Sequence, residues 1–183
     1  MSAKRETYCV EIGGVRRELP LFAVKPGLRI AVLNILGDTE LVEAAAVALA
    51  SRLDHGQYDL LVTPEAKSIP LAHALSVRVG RRYVVLRKSY KPYMGEALEA
   101  STASITTGQI QTLYLDEKDA TLLKGRRVLL LDDVISTGST LEGMRTLMQS
   151  AGAAVSAVAA ICTEGESEAE GIIALRHLPV FAD

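Results

Sequence analysis

The 183-residue chain has no tryptophan, two cysteines, six prolines and aromatic residues at only 4%. Each scarcity excludes something. So few aromatics argue against a surface built on stacked bases. Cys9 and Cys162 lie far apart and match no metal-ligand spacing. They read as reduced thiols of a cytoplasmic protein, not as a disulfide framework. No run of 18 apolar residues is present, so no membrane span is expected. The start, "MSAKRETYCVEIGG", lacks the apolar core of a secretory signal. Neither charge sign dominates: 20 Lys and Arg stand against 22 Asp and Glu, a formal net charge of -2. That balance argues against a nucleic acid or an anionic membrane as partner. There is no internal repeat and no low-complexity segment. What remains is ordinary globular composition, 49% apolar and 23% charged, in a length that suits one domain spanning 1–183.

The hydrophobic pattern alternates between two periods. Residues 8–24 alternate weakly around Gly13-Gly14 and read as a hairpin. "LRIAVLNI" is a further strand, and residues 1–37 together form a small N-terminal β subdomain. Asp38 then caps a strong helix, "TELVEAAAVALASRL". "YDLLVT" is a strand ending at Pro64, "KSIPLAHALSVRVG" a helix closed by Gly80, and "YVVLR" the next strand. Across residues 88–112 the core periodicity fails, and a stretch of that length is read as a functional lid. Asp116 caps a short helix. "RVLLLDDV" and "AVSAVAAICT" are buried strands flanking a helix that starts near Ser139, and "GIIALRHLPVF" supplies a last strand. Ser139 and Glu142 have the spacing of a capping box. Alternating strands and helices predict an α/β fold, a mostly parallel twisted sheet flanked by helices.

The stretch "VLLLDDVISTGST" raises the sharpest question. Four apolar residues in a row read as a strand buried on both faces. Burying Asp132 and Asp133 would be costly, so they belong near its carboxyl end, where α/β sheets bind ligands. Next come Val134, Ile135 and the turn Ser136, Thr137, Gly138, Ser139 and Thr140, leading into a helix. A helix start offers free N–H groups and a positive dipole end, and the hydroxyls add donors. Gly138 permits close approach. This is a phosphate cradle beside two acceptors suited to a diol, which describes a ribose 5-phosphate.

Taken whole, the stretch resembles the phosphoribosyl pyrophosphate motif of the type I phosphoribosyltransferase family. "LLVTPEAKSIPLAHALS" resembles the pyrophosphate loop of the purine branch, and "VVLRKSYKP" the segment opening its flexible loop. The resemblance covers residues 59–163. It implies that the N-terminal subdomain is a hood, and that Asp132 and Asp133 act in catalysis by holding the ribose hydroxyls. Residues 134–140 would hold the 5-phosphate. Glu65, Ala66 and Lys67 would line the pyrophosphate, often with an unusual peptide geometry at Glu65-Ala66. Arg87, Lys88 and Lys91 would meet the pyrophosphate from the lid side. It also implies Mg2+, held mainly by substrate oxygens and water with no dedicated protein ligands, and a homodimer. The substrates would be phosphoribosyl pyrophosphate and a purine base, adenine favoured. Phe22, Val24 and Glu164 are candidates to meet the base. Phe22 and Val24 also read as plain core of the hood, and Glu164 equally as a solvated turn. His55, His73 and His177 have no ligand spacing.

The residue types suit the chemistry in their own right. Displacing pyrophosphate from a ribose carbon builds charge on leaving oxygens, which Lys, Arg and N–H groups stabilise. A lid keeps water from the activated sugar. The competing reading is a regulator of nucleotide metabolism that binds phosphoribosyl pyrophosphate as an effector. Its DNA-binding form needs an N-terminal domain, and the 37 residues before the first long helix read as strands. Its RNA-binding form needs a basic face, and the chain is net acidic.

Overall fold

The computed structural model describes residues 5–103, 110–165 and 171–182. Strands β1 (Thr7–Ile12) and β2 (Val15–Lys25) form the expected hairpin. Its turn requires glycine: Gly13 has a φ of 58°, and a Cβ there would lie 2.7 Å from the Ala44 carbonyl oxygen. Strand β3 (Leu28–Ala31) pairs antiparallel with β2. Helix α1 (Thr39–Ala50) is capped by Asp38, whose carboxylate accepts from Leu41 N at 3.2 Å. Arg17 of β2 grips the same carboxylate through Nε at 2.7 Å and Nη2 at 2.8 Å, tying the hairpin to the helix. That guanidinium holds the Asp38 carboxyl below its ordinary range.

Strand β4 (Leu60–Pro64), helix α2 (Ile69–Val79) and strand β5 (Tyr83–Leu86) follow, with Gly80 closing α2 in the left-handed conformation. After a 3-10 turn at Pro92–Met94 come β6 (Leu98–Ala103) and β7 (Ile110–Leu115), an antiparallel ribbon. This corrects the reading of 88–112 as devoid of core pattern; residues 104–109 of that stretch lie outside the described residues. Helix α3 (Glu117–Leu123) is capped by Asp116, as expected. Strand β8 (Arg127–Ile135), helix α4 (Ser139–Ser150), and strands β9 (Ala154–Glu164), β10 (Ile172–Leu178) and β11 (Val180–Ala182) complete the described chain.

The main sheet has the order β10-β9-β8-β4-β5, with all neighbours parallel. Its two faces carry separate cores. Leu61, Leu129, Leu131 and Ile161 pack under α1 and α2, and the hood side chains Ile12 and Leu19 join them. Val62, Leu130 and Ala160 pack under α4, with Leu113 and Leu115 of the ribbon. Ribbon and helix meet at Gly143, where a Cβ would lie 3.2 Å from Thr102 Cγ2. The hood sheet runs β1-β2-β3-β11. Its last strand arrives from the other end of the chain, because Pro179 breaks the expected terminal strand in two. Among the described residues no helix is long and apolar enough to cross a membrane.

Candidate active site

Parallel strands gather their carboxyl ends on one edge, and the site residues lie along it. Strand β8 runs on to Ile135, so Asp132 and Asp133 sit deeper than the strand end expected of them. Asp133 is 8% exposed. Asp132 accepts the Asp133 N–H through Oδ1 at 2.9 Å. Burial, and then the neighbouring Asp133 charge, push the Asp132 carboxyl well above the ordinary carboxylate range. Asp133 Oδ2 is buried without a hydrogen-bond donor, and Lys67 Nζ stands 3.6 Å from it. The acids thus hold acceptor capacity that the protein itself does not satisfy.

The loop behind them corrects the capping-box expectation. Gly138, not Ser139, occupies the cap position of α4, at a φ of 79°, and no side chain caps the helix. The chain must curl back from β8 into α4, and that positive φ suits glycine. Ser139 becomes the first helical residue, its hydroxyl 3.3 Å from that of Thr137. The first N–H groups of α4 are left without side-chain caps, facing a cavity of about 40 Å³ lined by Asp132 and residues 134–141.

On the β4 side the turn into α2 contains a cis peptide between Glu65 and Ala66, the unusual geometry the resemblance implied. The Glu65 carboxylate accepts from Arg87 Nε at 2.6 Å and from Lys88 N at 2.6 Å. Arg87 Nη1 also donates to the Tyr93 hydroxyl at 3.3 Å. Glu65 therefore orients a cation; together with Lys67 this makes the β4–β5 end of the edge positively armed. Lys88 and Lys91 are exposed. Lys91 donates its backbone N–H to Met94 Sδ at 3.3 Å.

The structure does not gather the hood candidates with these groups. Phe22 and Val24 are 39% and 53% exposed, so the reading of them as hood core is overturned. Their half of β2 extends past its pairing with β1, and Arg5 lies over the Phe22 ring at 3.9 Å. Glu164 ends β9, the neighbour of β8 on the side away from β4. It is half-buried; burial raises its carboxyl, and the charges of Lys67 and His177 pull it back. Residues missed from sequence include Ser68, whose buried hydroxyl donates to Pro64 O at 2.8 Å beside the acids. Tyr93 was missed also, as was His177, whose Nδ1 lies 3.1 Å from the Thr163 hydroxyl. Ser68 alone had a signal, its place in "TPEAKS"; the other two are joined to the site only by folding.

A helix start without side-chain caps beside two under-satisfied acids, with cations by the adjoining strands, is a set of groups chemically suited to a sugar phosphate. Comparison with known proteins narrows the class. The phosphoribosyl transferase domain matches residues 33–173, and the chain belongs to that family. It is 33% identical over 129 residues to a hypoxanthine/guanine phosphoribosyltransferase of Methanotorris igneus, covering 70% of this chain and 67% of that one. It is 28% identical over 149 residues to the purine biosynthesis transcriptional repressor of Bacillus subtilis, covering 81% of this chain and half of the repressor. The adenine phosphoribosyltransferase structure of Thermoanaerobacter pseudethanolicus superposes with a TM-score of 0.72 at 25% identity, over 87% of this chain and 95% of that one.

Proposed function

We propose that the protein transfers the 5-phosphoribosyl group of phosphoribosyl pyrophosphate to a purine, with adenine favoured, releasing pyrophosphate in purine salvage. One observation carries the reading: the order of groups along the sheet edge. The central strand β8 and its loop hold acids and an oxyanion cradle, suited to ribose and 5-phosphate. Lys67, Arg87 and Lys88 stand on the β4–β5 side, suited to the leaving pyrophosphate. The entering base must approach the sugar carbon from the opposite side, which is the side of β9 and the hood.

The roles follow from chemistry. Asp132 and Asp133 accept from the two ribose hydroxyls, and the negative charge that the pair carries favours the positive charge that grows on the sugar as the bond to pyrophosphate breaks. The N–H groups and hydroxyls of residues 136–140 fix the 5-phosphate. Lys67 and Arg87 stabilise the charge gathering on pyrophosphate. Mg2+ suits this site: a hard cation keeps its waters and takes oxygen ligands, and the unsatisfied Asp133 Oδ2 is an oxygen of the required kind. Its chemistry is to neutralise pyrophosphate oxygens. The ribbon of β6 and β7 lies over the cradle, where Ser101 and Thr102 line a groove with Thr137, Gly138 and Ser139, and it is the candidate lid. The acting unit in this reading is a homodimer.

Incubation with phosphoribosyl pyrophosphate, Mg2+ and each of adenine, hypoxanthine, guanine, xanthine, orotate and uracil, followed by chromatography, tests the proposal. Nucleotide is expected from a purine. Nucleotide from orotate or uracil alone overturns the assignment. The repressor similarity favours a second reading, in which phosphoribosyl pyrophosphate is an effector. Tight binding without turnover of any base would establish that reading.

A further inference from the structure

Glu65 follows the end of β4 and Arg87 the end of β5, and these two strands lie parallel and side by side. Arg87 is gripped from two directions. Its main chain pairs with the ribbon: its N–H donates to Tyr114 O at 2.9 Å, and its carbonyl accepts from Tyr114 N at 2.8 Å. Its side chain is held by Glu65, which turns one oxygen to Arg87 Nε at 2.6 Å and the other to the Lys88 N–H at 2.6 Å. The Glu65 side chain is only 20% exposed. Of the five N–H donors of a guanidinium, one goes to Glu65 and one to the Tyr93 hydroxyl, which leaves three without an acceptor among the described residues. Lys67, the other cation of the β4 turn, leans instead towards Asp133, at 3.6 Å.

Resting on the transferase reading, we infer that Glu65 is a positioning residue: it acts on pyrophosphate through Arg87, holding the guanidinium so that its remaining donors meet the leaving group. A carboxylate that faced pyrophosphate would repel it. Here both oxygens are engaged by donors of the next strand end, so the charge of Glu65 is directed at Arg87 and Lys88 and not at the ligand. A long side chain left to itself samples many rotamers, and fixing one of them on binding costs entropy. With its main chain pinned by Tyr114 and its Nε by Glu65, Arg87 meets that cost when the protein folds. The bond to the Lys88 N–H extends the same control to the first residue of the stretch that leads into the ribbon. One carboxylate thus ties the pyrophosphate turn to the stem of the candidate lid.

Titration calorimetry with Mg2+ present would compare pyrophosphate, phosphoribosyl pyrophosphate and ribose 5-phosphate, which lacks the pyrophosphate group. The proteins are the wild type, Glu65→Gln and Glu65→Ala, and each of these combined with Arg87→Ala. Glu65→Ala should weaken pyrophosphate and phosphoribosyl pyrophosphate by at least about tenfold, the effect of losing one bond to a charged group. Glu65→Gln, whose amide has a single acceptor oxygen and keeps one of the two bonds, should lose less. Ribose 5-phosphate should bind all of them equally, which shows that the variants are folded. In the Arg87→Ala background neither change at Glu65 should weaken pyrophosphate further, because two residues that act as one unit are not additive. Additive losses, or an equal loss of ribose 5-phosphate affinity, overturn the inference and leave the transferase reading standing. So does tighter pyrophosphate binding in Glu65→Gln, the sign of a carboxylate that faces the anion. A wild type that binds neither pyrophosphate nor phosphoribosyl pyrophosphate overturns both.

Discussion

Replacing Gly138 by alanine separates what this residue does for folding from what it does for binding. Its φ is 79°, and nothing lies within 4 Å of where a Cβ would stand. No clash follows, so the stability cost is that of holding an ordinary residue in the left-handed region, about 1–2 kcal/mol. For a chain of this size that lowers Tm by about 2–8 °C. Binding should suffer more. Gly138 lines both the cavity of about 40 Å³ and the wider groove under the ribbon, so the methyl enters space the 5-phosphate needs. Losing one charge-assisted bond of about 1.5–3 kcal/mol reduces phosphoribosyl pyrophosphate affinity by roughly 10- to 150-fold. Calorimetric titration and thermal melts on the same sample read the two effects. Gly138→Asn is the control: asparagine tolerates positive φ and should recover part of the Tm, yet its side chain still fills the cradle. A Gly138→Ala protein with the expected Tm loss and wild-type affinity would refute the cradle.

Asp132→Asn should flatten the pH dependence of stability. A carboxyl raised on folding binds its proton more tightly folded than unfolded, so stability falls as pH rises from the ordinary carboxylate range towards the folded value. Between pH 5 and pH 8 the wild type should lose more Tm than the variant; parallel losses contradict this. Arg87→Lys should fail to replace arginine, because one guanidinium serves Glu65 and Tyr93 together. Both Arg87→Lys and Arg87→Ala should weaken phosphoribosyl pyrophosphate binding about tenfold or more, and full affinity in the lysine variant would discount the pairing. Trypsin should cut the lid region after Lys88, since Lys91 precedes Pro92, and phosphoribosyl pyrophosphate with Mg2+ should slow that cut. Equal rates with and without ligand argue against closure.

Much of the site was legible because β8, its loop and α4 are contiguous: a run of apolar residues, two acids and a Gly-centred turn carry their own context. The capping box misled because S-x-x-E spacing says nothing about φ at Gly138. The ribbon escaped notice because "LEASTA" is short and small-sided, and its depth comes from contact with Gly143 of α4. Phe22 and Val24 looked like core because strand periodicity cannot report which face of the hood sheet packs inward; Phe22 lies on the face opposite Leu21 and Ala31. The bonds of Glu65 to Arg87 and Lys88 could not be read from sequence, because they depend on strands brought side by side by the sheet. Tyr93 and His177 act through neighbours that only the fold supplies.

The strand that completes the hood bears on how the protein assembles. Ile30 meets Val180 across nearly the whole chain. Such a contact has a high entropic cost of loop closure until the intervening segments have condensed. The sugar-phosphate platform draws on more local pairings: β8 meets β9 across a single helix, and β4 meets β5 across another. The platform should therefore form early and the hood close late, with the hood sheet finished only when β11 adds to β3. Folding followed by hydrogen exchange should protect Leu129 and Leu130 before Ile30. On the proposed reading, a folding molecule would have its sugar-phosphate platform in place before its hood was closed.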